Sequence, residues 1–278
     1  MENRLKPNMA AVIKQLRDAS IRTVMVTGDN VLTALSVARE CGIVDPEESI
    51  ILVQAYPPQE GDIYQDAQIE YIHTNSTENM LTGSFNEFKE TRLKMGHVRH
   101  YSYAMTGKSW GVLQHHFPDF LPRIVCKGTV FARMSPDQKA QLIKHLQDIG
   151  YYVAMCGDGA NDCGALKAAH AGISLSEAEA SVASPFTSKS PNISCVPTVI
   201  REGRAALVTS FGIFKFMACY SLTQFVSVLM LCWMGNKMTD FEFLYIDLIL
   251  LTSLSVTSLT HAVGAYGPKY LFLPQLVS

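Results

Sequence analysis

The sequence predicts a parallel α/β domain followed by a helical hairpin that spans a membrane. Three observations lead there. Short β-branched or apolar runs alternate with segments of helical period over the first 200 residues, glycine- and aspartate-bearing turns follow two of the runs, and the C-terminal quarter holds two long apolar stretches. Composition agrees: 48% of the 278 residues are hydrophobic and 17% charged, below the roughly 25% charged of ordinary soluble domains. Lys and Arg number 23 against 25 Asp and Glu, a balance that excludes a nucleic-acid binder, which needs a basic face. The apolar content excludes a disordered chain. Seven cysteines, scattered and without a CxxC pair, argue against a disulfide framework or zinc site and suit a reducing compartment, so the soluble part is expected in the cytosol.

Each element has its own reason. Residues 7–19 put Met9, Val12, Ile13 and Leu16 on one stripe and read as a helix. Residues 21–26, IRTVMV, are short and β-branched, as a buried strand should be. Thr27, Gly28 and Asp29 then turn into a helix with Val31, Ala34, Leu35 and Ala38 on one face, stopped by Gly42. Residues 50–53 are the next strand. Residues 54–121 are long, polar and weakly periodic, and are expected to be an insertion of partly irregular structure. Residues 129–132 read as strand and 136–149 as helix, with Ser135 as N-cap and Pro136 in the first turn. Residues 151–155 are another strand, followed by a loop at 157–161 and a helix from about 162 to 170. Function is expected at the C-terminal ends of these strands.

Residues 197–210 read as a helix feeding into the first apolar run, a stalk between the soluble and membrane parts. The runs at 211–234 and 241–264 are 24 residues each, about 36 Å as helix, against a hydrocarbon core of about 30 Å. A polar link at 235–240 joins them; the alternative is a pair of buried core helices. The division is therefore 1–200 and 201–278, with no signal peptide at the start and no role assigned to the tail beyond 265.

Three motifs carry chemistry. TGD at 27–29 offers a hydroxyl and a glycine amide at a helix start, a phosphate cradle or an ordinary cap. Lys139, early in its helix, has an ammonium able to neutralise phosphate charge, or is a solvated helix lysine. GDGAND at 157–162 sets two carboxylates and a carboxamide in a glycine-loosened turn, where Asp158 and Asp162 suit Mg²⁺. In the apolar runs, Tyr220 and Gln224 lie one turn apart, and Asp247 is an ionisable group where the surroundings are lipid. Either they meet a cationic substrate or they pack helix against helix.

The order TGD, PDQK, GDGAND resembles the phosphorylation domain of P-type ATPases, haloacid-dehalogenase-like (Rossmann-type) in fold. ENRLK at 2–6, VMVTGDN at 24–30, VFARMSPDQK at 130–139 and MCGDGANDCGALKAAHAGISLSEAEASVASPFTS at 155–188 are similar to the P5 subfamily, and the last of these to its P5B, polyamine-transporting branch. The resemblance runs from residue 2 to about 260. It implies an ATP- and Mg²⁺-dependent translocase working through an aspartyl-phosphate, embedded in an endosomal, lysosomal or other endomembrane. Thr27 and Lys139 would contact the phosphoryl group with Gly28 shaping the loop, Asp29 would belong to the same catalytic set, Asp158 would ligate Mg²⁺, and Asn161 and Asp162 would complete the phosphate and metal network. Tyr220, Gln224 and Asp247 would face a polyamine-like cation.

One feature departs from the family. Its nucleophile lies in DKTGT, and no DKTG occurs in these residues. The nucleotide-binding and actuator domains are not recognisable either. The expectation is the later part of a phosphorylation domain plus transmembrane segments five and six, catalytically incomplete by itself. The alternatives are a non-catalytic short isoform acting on partners and a membrane-anchored phosphohydrolase of dehalogenase type.

Overall fold

The computed structural model describes residues 6, 8–58, 67–73, 80–81, 101–176, 184–253 and 256. The chain divides into two units, Met1–Val196 and Pro197–Ser278. In the first, α1 (Met9–Asp18), β1 (Met25–Val26), α2 (Val31–Glu40) and β2 (Ser49–Tyr56) lead into β3 (Gln68–His73), β4 (Met80–Leu81) and β5 (Tyr101–Thr106). Then come α3 (Gly107–His116), α4 (Leu121–Lys127), β6 (Gly128–Ala132), α5 (Pro136–Asp148), β7 (Ala154–Gly157), a 3₁₀ turn at Ala160–Asp162, α6 (Cys163–Ala168), β8 (Ala171–Ser174) and β9 (Phe186–Thr187).

The strands form two sheets rather than one. A six-stranded sheet has the order β1-β6-β5-β2-β3-β4, and a three-stranded parallel sheet the order β7-β8-β9. Within the larger sheet β1, β6, β5 and β2 are parallel, while β3 and β4 add an antiparallel edge. The central strands are covered on both faces. Ile51 and Val53 of β2 point into a cluster with Met105, Trp110, Leu113, Phe131 and Leu142, whereas Ile50 and Leu52 point the other way against Ala34, Leu35 and Ala38 of α2. Two-sided burial explains why these strands read as unbroken apolar runs. Helix α5 starts with a capping box, in which Ser135 and Gln138 each bond the other's backbone amide, and ends at Gly150, whose φ of 98° favours glycine.

Three expectations change. The insertion is shorter than 54–121: Gln54–Tyr56 finish β2, β5 lies in the middle of the sheet between β6 and β2, and α3 buries Trp110 and Leu113 completely. β5 escapes sequence reading because YSYAMT mixes hydroxyls and aromatics, yet Ser102 to Met105 are all buried. Residues 59–66, 74–79 and 82–100 of that segment lie outside the described residues. Strand 21–26 shrinks to Met25–Val26, because only these two residues pair, with Val130 and Phe131, and only along one edge. Strand 151–155 shifts to Ala154–Gly157, leaving Tyr151 and Tyr152 exposed.

In the second unit, α7 (Cys195–Trp233) is one helix of 39 residues that starts at the end of the first unit. Among the described residues it is the one helix long and apolar enough to cross a membrane. Its hydroxyls turn inward on their own helix: Thr209, Ser210, Thr223 and Ser227 each donate to the carbonyl four residues back at 2.8–2.9 Å. That satisfies these hydroxyls within the helix, without a partner from outside it. After Gly235 the chain caps α8 (Asp240–Tyr245) with Thr239 and Glu242, and a π-helical turn, Ile246–Leu251, follows. Residues 254–255 and 257–264 of the second apolar run lie outside the described residues.

Gly172 of β8 sits under α6, where an added Cβ would come within 2.6 Å of the Leu166 carbonyl oxygen. Backbone gives way poorly, so Gly172→Ala should destabilise the first unit by about 1–3 kcal/mol. Denaturant melts of the detergent-purified chain would measure it, and an unchanged midpoint would contradict this packing.

Candidate functional site

The site is built where β1, β6 and β7 end. After β1, the Thr27 amide donates to the Phe131 carbonyl at 2.9 Å, and the Thr27 carbonyl accepts from Met134 at 3.1 Å. The Asp29 carbonyl accepts from Arg133 at 3.0 Å. The TGD turn is thus laced to the loop between β6 and α5, and Arg133 takes a left-handed φ of 52° to make the crossing. Inside the turn, the Thr27 hydroxyl donates to the Asp29 carboxylate at 3.0 Å and accepts from the Asp29 amide at 3.1 Å. Asn30 caps α2 by accepting from the Leu32 amide. Gly28 is exposed and a Cβ there would meet nothing, so its bareness leaves space rather than relieving strain.

On the other side of α5, the Lys139 ammonium meets the Asp162 carboxylate at 2.7 Å, with the two side chains 12% and 14% exposed. The turn is pressed close here. A Cβ on Gly157 would lie 2.7 Å from the Asp162 carboxylate, the Asp162 amide donates to the Gly159 carbonyl, and the Leu175 amide holds the Gly157 carbonyl. Asp162 therefore serves an internal ion pair, which sequence spacing alone does not reveal. Asp158 and Asn161 are exposed at the strand end, and Asp158 has no ion pair among the described residues.

The structure joins Thr27 and Asp29 to the backbone leading into α5, and Lys139 of α5 to Asp162. It links Asn161 and Asp158 to these only through the turn they share. In the second unit the Tyr220 hydroxyl donates to the Asp247 carboxylate, one residue into the π-helical turn; Gln224 lies a turn along α7. Sequence reading missed Gly107, which lets Gln138 reach its carbonyl at 2.8 Å and where a Cβ would collide with the Arg133 carbonyl at 2.3 Å. Only its TGK context, after a strand not recognised as one, could have signalled it.

Among the described residues no three acidic, histidine or cysteine side chains cluster as a closed metal cage. One free carboxylate beside a second held by lysine nevertheless fits Mg²⁺, which keeps several waters and needs only one or two carboxylates besides phosphate oxygens. Asp158 would hold it directly, with Asp162 beside it.

Comparison with known proteins follows the same line. Polyamine-transporting ATPase 13A3 of Mus musculus is 53% identical over 258 residues, covering 90% of this chain and 21% of the relative. Probable cation-transporting ATPase 13A4 of Homo sapiens is 48% identical over 277 residues, 99% of this chain and 23% of the relative. Polyamine-transporting ATPase 13A2 of Mus musculus is 51% identical over 257 residues, 92% and 21% respectively. No family model matches the chain. Identity of this degree over nine-tenths or more of the chain makes it a relative of transporting ATPases. It belongs to the P5B family of polyamine- and cation-transporting ATPases, and it spans about a fifth of the length of the curated relatives it matches.

Two outcomes test the local geometry. Lys139→Ala strands a mostly buried carboxylate and should cost on the order of 3 kcal/mol, which Lys139→Ala combined with Asp162→Ala should partly restore. Equilibrium unfolding of both variants decides it; a larger loss in the double variant would contradict the pairing. Burial, helped by neighbouring Cys195 and Asp158, pushes the Cys156 thiol up to about 12. It therefore stays protonated at pH 8, and mass spectrometry after brief iodoacetamide treatment should find Cys156 unmodified until the chain is denatured.

Proposed function

We propose that this chain is the phosphate-handling and membrane-entry portion of a P5B pump, haloacid-dehalogenase-like in its first unit. The whole pump couples Mg²⁺-dependent ATP hydrolysis, through an aspartyl-phosphate, to movement of a polyamine-like cation. The observation that carries this reading is the convergence of three motifs on α5: TGD bonded to its leading loop, and Lys139 paired with Asp162 at 2.7 Å.

Each residue has a task. Thr27 exchanges its bond to Asp29 for a phosphoryl oxygen, and the exposed Gly28 lets that oxygen approach backbone. Lys139 adds positive charge and, through Asp162, fixes the GDGAND turn that presents Asp158 and Asn161. Mg²⁺ bound there would neutralise and orient phosphoryl oxygens in an in-line transfer. β1 and β7 each have an outer edge without a partner strand among the described residues, and Arg22 lies over the Tyr151 ring at 5.7 Å, bringing the starts of the two strands near each other. We assign the DKTGT-bearing strand to a part of the longer relatives that these 278 residues do not contain, so this stretch alone forms no phosphoenzyme.

In the second unit, the Asp247 carboxylate, held by Tyr220 and with Gln224 a turn away, offers charge and polar contacts to ammonium groups in a lipid-embedded path. Asp247 itself lies in the π-helical turn, a feature common at functional sites. The location that fits is an endosomal or lysosomal membrane with the first unit in the cytosol.

Radiolabelled phosphate transfer from ATP in the full-length protein tests both ends. Asp158→Ala should abolish the phosphoenzyme. Asp247→Asn should leave its amount intact yet remove the acceleration of its turnover by spermine. Normal phosphoenzyme in Asp158→Ala would overturn the catalytic reading, and normal spermine response in Asp247→Asn the transport reading.

A further inference from the structure

The TGD turn is not held by its own strand. β1 pairs through Met25 and Val26 alone, so the position of Thr27–Asp29 is set by the loop it bonds, Arg133–Ser135. That loop in turn lies beyond the ladder. β6 is paired with β5 as far as Ala132 opposite Thr106, and Arg133 then leaves with a φ of 52°. A contact other than strand pairing has to fix the loop to the sheet.

The carboxamide of Gln138, in the first turn of α5, makes that connection. Its oxygen accepts from the Ser135 amide at 3.0 Å, and its nitrogen donates to the Gly107 carbonyl at 2.8 Å. One side chain thus stands in for the peptide unit that the ladder lacks, directly after the last paired residues. A capping box needs only the first of these bonds, and a glutamate would supply it equally well. The donor to Gly107 is what glutamine adds.

Gly107 is shaped for the contact. It is buried, and a Cβ there would lie 2.3 Å from the Arg133 carbonyl oxygen and 2.5 Å from the Gln138 carboxamide oxygen. The loop therefore packs against bare backbone. The start of α3 is itself fixed. The Thr106 hydroxyl accepts from the Ser109 amide at 3.4 Å, and the Ser109 hydroxyl accepts from the Ala55 amide of β2 at 3.2 Å. A chain of bonds runs from β2, through the start of α3 and Gln138, to the loop and the Thr27 turn. The next residue of α5, Lys139, meets Asp162.

We propose that Gln138 and Gly107 are positioning residues for phosphoryl transfer. They lock residues 133–135 to the sheet and so hold Thr27 and Lys139 in register with each other. The proposal rests on the reading of Thr27 and Lys139 as phosphate contacts. Neither Gln138 nor Gly107 needs to touch phosphate; each acts through the loop. Placement matters because an error of about 1 Å can cost about a hundredfold in rate.

The test uses the full-length protein carrying Gln138→Met, which keeps the side-chain length and adds no charge. Radiolabelled phosphate transfer from ATP is followed, together with hydrogen exchange in peptides that span residues 131–135. Transfer should slow by about tenfold or more with the half-saturating ATP concentration unchanged, and exchange at the Arg133 and Met134 amides should quicken. Ser135→Ala removes the hydroxyl that caps α5 but leaves both Gln138 bonds. It should change the transfer rate by less than about twofold. Gly107→Ala should slow transfer as Gln138→Met does; since its clash also threatens folding, Gln138→Met is the deciding variant. An unchanged rate in Gln138→Met, with Asp158→Ala inactive, would overturn the proposal and leave the catalytic reading standing. Equal slowing by Ser135→Ala would overturn it too, by reducing Gln138 to a helix cap. A normal phosphoenzyme in Asp158→Ala would instead remove the catalytic reading, and this proposal with it.

Discussion

The ion pair between Lys139 and Asp162 is the constraint on which the first unit depends. It joins a helix packed on the six-stranded sheet to a turn that ends a strand of the other sheet. α5 can serve as that bridge because Leu142 and Leu146 anchor one side of it in the main core, while Gln147 on the other reaches the Ala168 carbonyl at 2.7 Å. A mostly buried pair is costly to desolvate, and it holds only where its geometry is tightly determined. Gly157 supplies that tightness by letting the carboxylate lie against bare backbone.

The separation into two sheets follows from the same design. β1 and β7 carry the phosphate-type turns at their C-terminal ends, and both are sheet edges among the described residues. An edge strand leaves backbone donors and acceptors unpaired and is therefore a place for another strand. β1 keeps only two paired residues under these conditions, although six residues of its sequence have strand character. Its turn stays in position through bonds to Arg133 and Met134 rather than through the ladder.

The two ends of the parallel strands have divided chemistry. The C-terminal ends expose carboxylates, a carboxamide and a glycine turn, whereas the N-terminal ends gather arginine and lysine. In the second unit the polar groups are fewer and more sharply used. Serine and threonine hydroxyls of α7 close on their own helix, whereas the Tyr220 hydroxyl reaches across to the Asp247 carboxylate in the π-helical turn. A carboxylate in an apolar surrounding needs such a donor, and the same donor orients it.

The sequence by itself determined the α/β character, the helix faces of α1, α2 and α5, the capped start of α5 and the long apolar helix, since each rests on local periodicity or on a few adjacent residues. It also determined the family, because the motifs at 27–29, 130–139 and 157–162 are contiguous. Only the tertiary structure decided that Tyr101–Thr106 is a central strand, because its burial comes from neighbours distant in sequence and leaves no alternation to read. It alone set Asp162 against Lys139, 23 residues apart, and brought Arg17, Arg22 and Lys127 around one cavity. Periodicity records which face of an element is buried, but pairing between elements depends on how their ends meet in space. The apolar excess that the composition announced is likewise local, whereas the contact of Tyr220 with Asp247 needed the chain to turn back on itself.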